Sequence, residues 1–315
     1  MTLLAATGDA VARLDGDGDG FGVSLSLEGS GAQCLAVREG AVYAGCRGSG
    51  VWRSDDGGAG WRDLHLPAED VFSVAVSPAD GAVYAGCEPS MLFRSDDGGA
   101  HWRELESLRS IPSAPTWSFP PRPWTSHVRW IAPSPHEAGL LLAGIELGGL
   151  MWSGDGGETW EDHRPGAKLD VHCLAWHQTA EGRAYETGGD GTAWSRDGGR
   201  TWEPVDVGRD RNYSWALEID PADPDTWFAS VSPGPFHAHS DGRDAEAYLY
   251  RWSGGGPWQA VAGPFSSMPY ALRFANGALY AGFSDGTVLV SEDRGERWRE
   301  VPLSGDALDR IVALA

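Results

Sequence analysis

The sequence predicts an all-β fold, a single seven-bladed β-propeller, from three observations. A short motif recurs at a regular period, apolar runs of strand length lie between its copies, and glycine (44) and tryptophan (16) are both far above ordinary usage in a chain of 315 residues. Many tight turns alternating with short strands that bury large rings need that composition. The motif Ser-x-Asp-x-Gly-x-x-Trp occurs five times in full, at Ser54/Asp56/Gly58/Trp61, Ser95/Asp97/Gly99/Trp102, Ser153/Asp155/Gly157/Trp160, Ser195/Asp197/Gly199/Trp202 and Ser291/Asp293/Gly295/Trp298. Two worn copies complete a set of seven. One runs from Ser253 to Trp258 and lacks its Asp, and the other, Leu14 to Phe21, has Phe21 in the Trp place.

Each motif reads as a hairpin turn, in which Asp oxygens accept from backbone N–H groups, Gly supplies positive φ and Trp packs against the preceding strand. Upstream of the first full copy come Cys34-Leu35-Ala36-Val37, Val42-Tyr43-Ala44-Gly45-Cys46 and Val51-Trp52-Arg53-Ser54, so each unit is a four-stranded meander, one blade. Successive motif starts, from Leu14 through Ser54, Ser95, Ser153, Ser195, Ser253 and Ser291, are 40, 41, 58, 42, 58 and 38 residues apart. The step from Ser291 across the chain ends to Leu14 is again 38, which predicts closure of the ring. Arg310-Ile311-Val312-Ala313-Leu314 then supplies the innermost strand of the blade whose other strands are Thr2 to Thr7, Ala10 to Leu14 and Gly22 to Leu27. Such closure removes open sheet edges. The expected blades, all in one domain over 1–315, are 310–315 plus 2–27, 32–64, 70–105, 127–163, 171–205, 213–261 and 269–301.

The five full motifs resemble the BNR/Asp-box repeat family of the sialidase-like superfamily. That family includes sialidases, xyloglucan-degrading enzymes, the sortilin ectodomain and photosystem II assembly factors. The resemblance implies that the motif turns join third to fourth strands on the face away from substrate, so Asp56, Asp97, Asp155, Asp197 and Asp293 are structural. It specifies a fold and not an activity. The Phe/Tyr-Arg-Ile-Pro motif of sialidases is absent, and sialidase propellers have six blades.

A formal net charge of −21, with no Lys/Arg cluster, repels phosphate backbones and anionic lipid, which argues against nucleic acid as a partner. No apolar run is long enough to span a bilayer, and Met1 to Ala6 lacks the basic start of a secretory signal. The expectation is a cytoplasmic monomer without membrane contact. Cys34, Cys46, Cys87 and Cys173 lack the paired spacing of a zinc site and read as free buried thiols. Asp15, Asp17 and Asp19 suggest a calcium loop, but Ser26 stands where an EF-hand needs Glu, so a worn turn is the reading.

In such a ring, the loops entering the innermost strands and those joining second to third strands make a funnel at the axis. Both long repeat steps insert residues there. Residues 106–126 carry Trp117, Pro120, Pro121, Pro123 and Trp124, and residues 231–247 carry His237 and His239. Long loops inside a compact repeat fold are more often functional than accidental. Aligning the innermost strands on their apolar centres places Gln33, Phe72, Arg129, His172, Trp215, Tyr270 and Arg310 at the mouth, with Gly31, Asp70, His127, Asp170, Tyr213, Met268 and Leu308 two residues upstream. Glu88, Glu146 and Asp285 end second strands nearby. Polar groups gathered in a concavity with aromatic walls mark a small-ligand pocket.

Three readings follow. In the first, the funnel binds a small molecule, carbohydrate or peptide through Arg129, Trp215, Tyr213, Tyr270, Arg310, Asp70, His237 and His239, with Trp117 and Trp124 as further anchors. A lyase, isomerase or metal-dependent hydrolase would instead use Glu146, His172 and His127 for proton transfer. The remaining reading is a glycoside hydrolase, either sialidase-like with Arg129, Arg310 and Tyr213 or Tyr270 in its roles or of the kind that uses two carboxylates. No cofactor is required by any motif. A divalent metal would draw on His127, His172, Glu146, His237 and His239, since imidazole and carboxylate suit zinc or iron.

Overall fold

Between successive turns the apolar runs pair as antiparallel meanders, and seven of these sheets stand in a ring. The computed structural model describes residues 1–16, 19–119, 125–240 and 243–315, so Asp17, Pro120, Pro121, Pro123 and Trp124 lie outside the described residues. Blade 2 comprises Ala32–Arg38, Ala41–Cys46, Gly50–Ser54 and Arg62–Asp63, and blade 3 Val71–Val76, Val83–Cys87, Leu92–Ser95 and Arg103–Glu104. Blade 4 has Val128–Pro133, Leu141–Ile145 and Gly149–Ser153, its outer strand reduced to a bridge between Trp152 and Glu161. Blade 5 holds Val171–Trp176, Ala184–Gly188, Gly191–Ser195 and Glu203–Pro204. Blade 6 is formed by Tyr213–Ile219, Thr226–Ser232, Ala247–Ser253 and Gln259–Phe265, and blade 7 by Pro269–Ala275, Ala278–Phe283, Val288–Ser291 and Arg299–Glu300. Among the described residues, no helix is long and apolar enough to cross a membrane.

Blade 1 closes the ring. Its strands Thr2–Ala6, Val11–Gly16 and Phe21–Ser26 take Ala313–Leu314 antiparallel on the inner edge, as the sequence predicts. The outer edge also holds a strand that the sequence does not announce, Leu303–Gly305, which pairs parallel with Phe21–Ser26.

The repeated turns satisfy their own backbone. Ser54 Oγ donates to Asp56 Oδ1 (2.7 Å) and accepts the Gly58 amide (2.8 Å), while Asp56 Oδ1 accepts the Ala59 and Gly60 amides at 3.1 and 2.8 Å. The serine bonds recur at Ser95, Ser153, Ser195 and Ser291. Gly58 sits at φ 93°, in the left-handed region that a side chain would strain. Trp61, Trp160, Trp202 and Trp298 donate their indole N–H to the carbonyl of the motif glycine three residues back, at 3.0–3.1 Å.

The core is a ring rather than a ball. Seven apolar clusters occupy the seven interfaces between neighbouring blades, for example Leu3, Ala271, Tyr280 and Ile311 between blades 7 and 1. Close approach near the axis is set by small residues in second strands. A Cβ added at Gly45, Gly86, Gly144 or Gly282 would stand 2.7 Å from Val71, 2.7 Å from Val128, 2.4 Å from Val171 or 2.6 Å from Ile311 of the next blade. In blades 5 and 6 Thr187 and Ser230 take this place; the Thr187 hydroxyl donates to the Trp215 carbonyl of the next innermost strand (2.6 Å), while Ser230 accepts the Ala216 amide of its own blade's innermost strand (2.9 Å).

One carboxyl is sealed inside the fold. Glu186, on the second strand of blade 5 and without solvent exposure, accepts the Lys168 amide at 3.0 Å through one oxygen, while the other has no hydrogen-bond partner. Burial pushes its pKa up to about 8, against the weaker pull of the Lys168 amide and charge. The folded chain thus holds a proton here that the unfolded chain releases near its ordinary value of 4.5. Its contribution to stability therefore falls as pH rises from about 5 to 8.

Two measurements check this account. Gly144→Ala should cost about 1–3 kcal/mol in denaturant unfolding, and adding Val171→Ala should recover part of the loss; equal losses in both variants would contradict the proposed interlock. Glu186→Gln, which keeps an acceptor for the Lys168 amide, should be more stable than the parent at about pH 8 and lose less stability between about pH 5 and 8. Identical pH profiles for the two proteins would count against a protonated Glu186.

Candidate ligand-binding funnel

Each innermost strand of blades 2 to 7 carries an irregularity in its pairing near the funnel end, after the first pair in five of them and after the second in blade 6. Pairing jumps from Ala32 to Cys34, Val71 to Ser73, Val128 to Trp130, Val171 to Cys173, Ser214 to Leu217 and Pro269 to Ala271. The residues passed over include Gln33, Phe72, Arg129, His172, Trp215 and Tyr270. A bulged residue leaves the ladder and is re-aimed, and here all six line an axial cavity of about 320 Å³. The first blade contributes Val312 to that lining. Arg310, which the sequence alignment puts in this row, instead lies two residues upstream, exposed, with its guanidinium 5.4 Å from the Tyr270 ring. The cause is Ile311, which fills the hollow at Gly282 as Val171 fills that at Gly144 and so sets the register.

The polar groups converge on the sector of blades 3 to 6. His127, 1% exposed, hydrogen-bonds Glu146 Oε2 through Nε2 at 2.6 Å and turns Nδ1 toward Glu88 Oε2 at 3.8 Å. Its ring stacks on Phe72 (4.0 Å) and meets the Phe119 ring edge-on (5.2 Å). His127 thus holds Glu146 in place from behind. Arg129 reaches the same Glu146 oxygen at 3.5 Å, and its guanidinium stands 4.7 Å from the Trp215 ring. Burial alone would raise the Glu146 pKa, but the His127 hydrogen bond and the Arg129 charge bring it down to about 2, so the group is a fixed anion.

His172 donates from Nδ1 to the Ser214 carbonyl (2.7 Å) and turns Nε2 toward Asp170 Oδ2 at 3.5 Å. Donor atoms of Glu146, Asp170 and His172 lie within 4.8 Å of one another. Five buried polar atoms in this sector, Glu88 Oε2, His127 Nδ1, Arg129 Nε, Asp170 Oδ1 and His172 Nε2, have no hydrogen-bond partner.

Opposite them the second insertion folds as a short helix, Pro235–His239, and passes a chain of hydrogen bonds across the mouth. Tyr270 donates to the Ala238 carbonyl (2.8 Å), so it accepts from His239 Nδ1 (2.8 Å), and His239 Nε2 in turn accepts from Tyr213 (2.7 Å). This order requires a neutral His239. The residue keeps an exposed edge, yet loss of solvent around the ring, with the neighbouring His172, Arg129 and Arg310 adding to it and Glu146 opposing, takes its pKa down to about 4. Burial raises the Tyr213 pKa and keeps its proton in place.

Other predicted residues are arranged differently. His237, on the same helix, pairs with the Asp244 carbonyl (3.1 Å) and Glu246 (3.4 Å) and does not join the donor cluster; neither do His127 and His239. Asp70 faces Arg47 at 3.9 Å. Trp117 is buried beside Ile145 and Gly148, with its indole N–H bonded to Ser113 Oγ at 3.1 Å, so it anchors the first insertion to the core and presents no ring to a ligand. Arg47, absent from the sequence reading, stands 4.3 Å over the Phe72 ring and 3.8 Å from Glu88. It follows a second strand just as Glu88 and Glu146 do, and that shared position was the available signal.

No family model and no curated protein matches this sequence. Solved structures do resemble the fold. The GH74 xyloglucanase from Xanthomonas campestris superposes with a TM-score of 0.68 at 17% identity over 99% of this chain and 52% of its own. The GH74 enzyme from Niastella koreensis gives 0.65 at 15% over 85% and 45%. A structure of YCF48 bound to D1 peptide gives 0.60 at 16% over 86% and 82%. The chain therefore spans about half the length of these GH74 enzymes and most of YCF48. At such identities the likeness establishes a shared propeller fold.

Proposed function

We propose that the funnel binds a short peptide segment of a partner protein, whose polar end enters the cavity while its apolar side chains rest on the rim. One juxtaposition carries this reading. The five unpartnered polar atoms lie in a buried sector, where each costs about 1–3 kcal/mol until something bonds it. Above that sector, exposed Leu147, Leu169, Val207 and Phe236 stand on the funnel-face loops of blades 4, 5 and 6. They are four of the five exposed large apolar side chains among the described residues, and clustering of this kind marks an interaction surface.

Three of these four residues, Leu147, Leu169 and Val207, are aliphatic and favour peptide side chains over sugars, whose rings are held by aromatic platforms and planar polar groups. The YCF48 structure with D1 peptide supplies a precedent on this fold for the peptide class, and the GH74 enzymes for the carbohydrate class. The His127 hydrogen bond and the Arg129 charge hold Glu146 toward its ionised form, which suits it poorly to act as the general acid of a glycosidase. We read the Ser-x-Asp-x-Gly-x-x-Trp turns as structural Asp-boxes, between third and fourth strands and away from the funnel.

A positional-scanning peptide array followed by calorimetry tests the proposal. A binding peptide should lose about 5–30-fold in affinity on Leu169→Ser or Val207→Ser, with no change in thermal stability of the free protein, and Trp215→Ala should lose more. Binding of mono- or oligosaccharides by a protein that ignores every peptide would overturn it.

A further inference from the structure

Three donor atoms meet in the funnel. His172 is 1% exposed, and its Nδ1–H is committed to the Ser214 carbonyl at 2.7 Å. Nε2 faces Asp170 Oδ2 at 3.5 Å and has no hydrogen-bond partner. Glu146 completes the group, all three donors lying within 4.8 Å of one another. Two carboxylates gathered beside one buried imidazole nitrogen that lacks a hydrogen bond are stabilised by a cation set among them. Imidazole ligands of metals are commonly held in this way, with the second nitrogen tied to a backbone carbonyl.

We infer that Glu146, Asp170 and His172 form a site for one divalent first-row transition ion, of the series from Mn²⁺ to Zn²⁺. The inference rests on the funnel being the ligand site and names what anchors the ligand there. Imidazole nitrogen beside carboxylate oxygen suits that series better than Mg²⁺ or Ca²⁺, which take oxygen donors. The surrounding charge agrees. Carboxylates of Asp70, Glu88, Glu146 and Asp170 number four, against the three guanidinium groups of Arg47, Arg129 and Arg310, and the site is left anionic.

Metal–ligand distances of about 2.0–2.2 Å require the donors to close by roughly 1 Å. Asp170, half-buried at the end of the loop into blade 5, has the freedom to turn. His127 holds Glu146 at 2.6 Å and acts as its positioning residue. Three protein donors leave coordination positions open, and a carboxylate, carbonyl or amine of the bound peptide would complete them.

The test is calorimetric titration of the chelator-treated 315-residue chain with Mn²⁺, Co²⁺, Zn²⁺ and Mg²⁺, with the visible spectrum of the Co²⁺ form as a second readout. One ion per chain is expected, with Mg²⁺ at least about tenfold weaker. Asp170→Asn and His172→Gln should each weaken binding by about tenfold or more and shift the Co²⁺ bands. His101→Gln, at the exposed pair with Asp97, should change nothing. Asp170→Asn alters a half-buried loop residue and remains informative if His172→Gln does not fold. Absence of binding at about 1 mM ion, unchanged affinity in Asp170→Asn, or loss confined to His101→Gln would overturn the site. If peptides bind the metal-free chain and no ion does, the metal falls alone; if an ion binds and no peptide does, the peptide reading falls and the metal site stands.

Discussion

The crowding of seven sheets around one axis governs this molecule. Innermost strands can approach only where the facing second strand is small, and Gly45, Gly86, Gly144 and Gly282 provide that room for Val71, Val128, Val171 and Ile311. One residue further along, the same crowding is relieved by a bulge, and the bulged residue is turned out of the ladder toward the axis. Packing between blades and the composition of the funnel are therefore two results of a single steric arrangement. Bulged positions are free to vary in chemistry because they carry no ladder pairing, and they hold Gln, Phe, Arg, His, Trp and Tyr.

Polar residues are unevenly placed on this uniform frame. Blades 3 to 6 bring Glu88, His127, Arg129, Glu146, Asp170 and His172 together, whereas blades 1 and 2 supply Val312 and Gln33 to the lining. Both insertions serve the same sector. The first presses Phe119 against His127 and pins itself with Trp117; the second lays His239 against Trp215 at 4.5 Å. A ring with sevenfold pseudo-symmetry is thus given one working side by its loops.

Most of the frame was legible in the sequence because turn chemistry repeats. Ser, Asp, Gly and Trp at fixed offsets locate each hairpin, and the apolar runs between them count the strands. The alignment on apolar centres reached Phe72, Arg129 and His172 because the valine that fills each glycine hollow is itself an apolar landmark, and it reached Trp215 and Tyr270 through the apolar pairs Ala216-Leu217 and Ala271-Leu272 that follow them. It slipped at Arg310, where no motif follows to fix the phase and Ile311 and Val312 are equally apolar. The strand Leu303–Gly305 has no alternation to reveal it, being a parallel edge of three residues. Trp117, in a Pro-rich insertion, reads as a surface ring until Ser113 and Ile145 are seen around it. Asp170 was placed beside the funnel, but its partnership with Glu146 and His172 depends on two separate loops and on the ring hydrogen bond to Ser214, which only three dimensions show.

The two edges of blade 1 have a consequence for how the ring forms. Leu303–Gly305 lies along one side of Phe21–Ser26 and Ala313–Leu314 along one side of Thr2–Ala6, so a single terminal stretch grips the first sheet from both flanks. These pairings join residues about three hundred positions apart, and bringing such distant segments together carries the largest chain-entropy cost in the fold. The state of this clasp therefore reports whether the circle as a whole is intact.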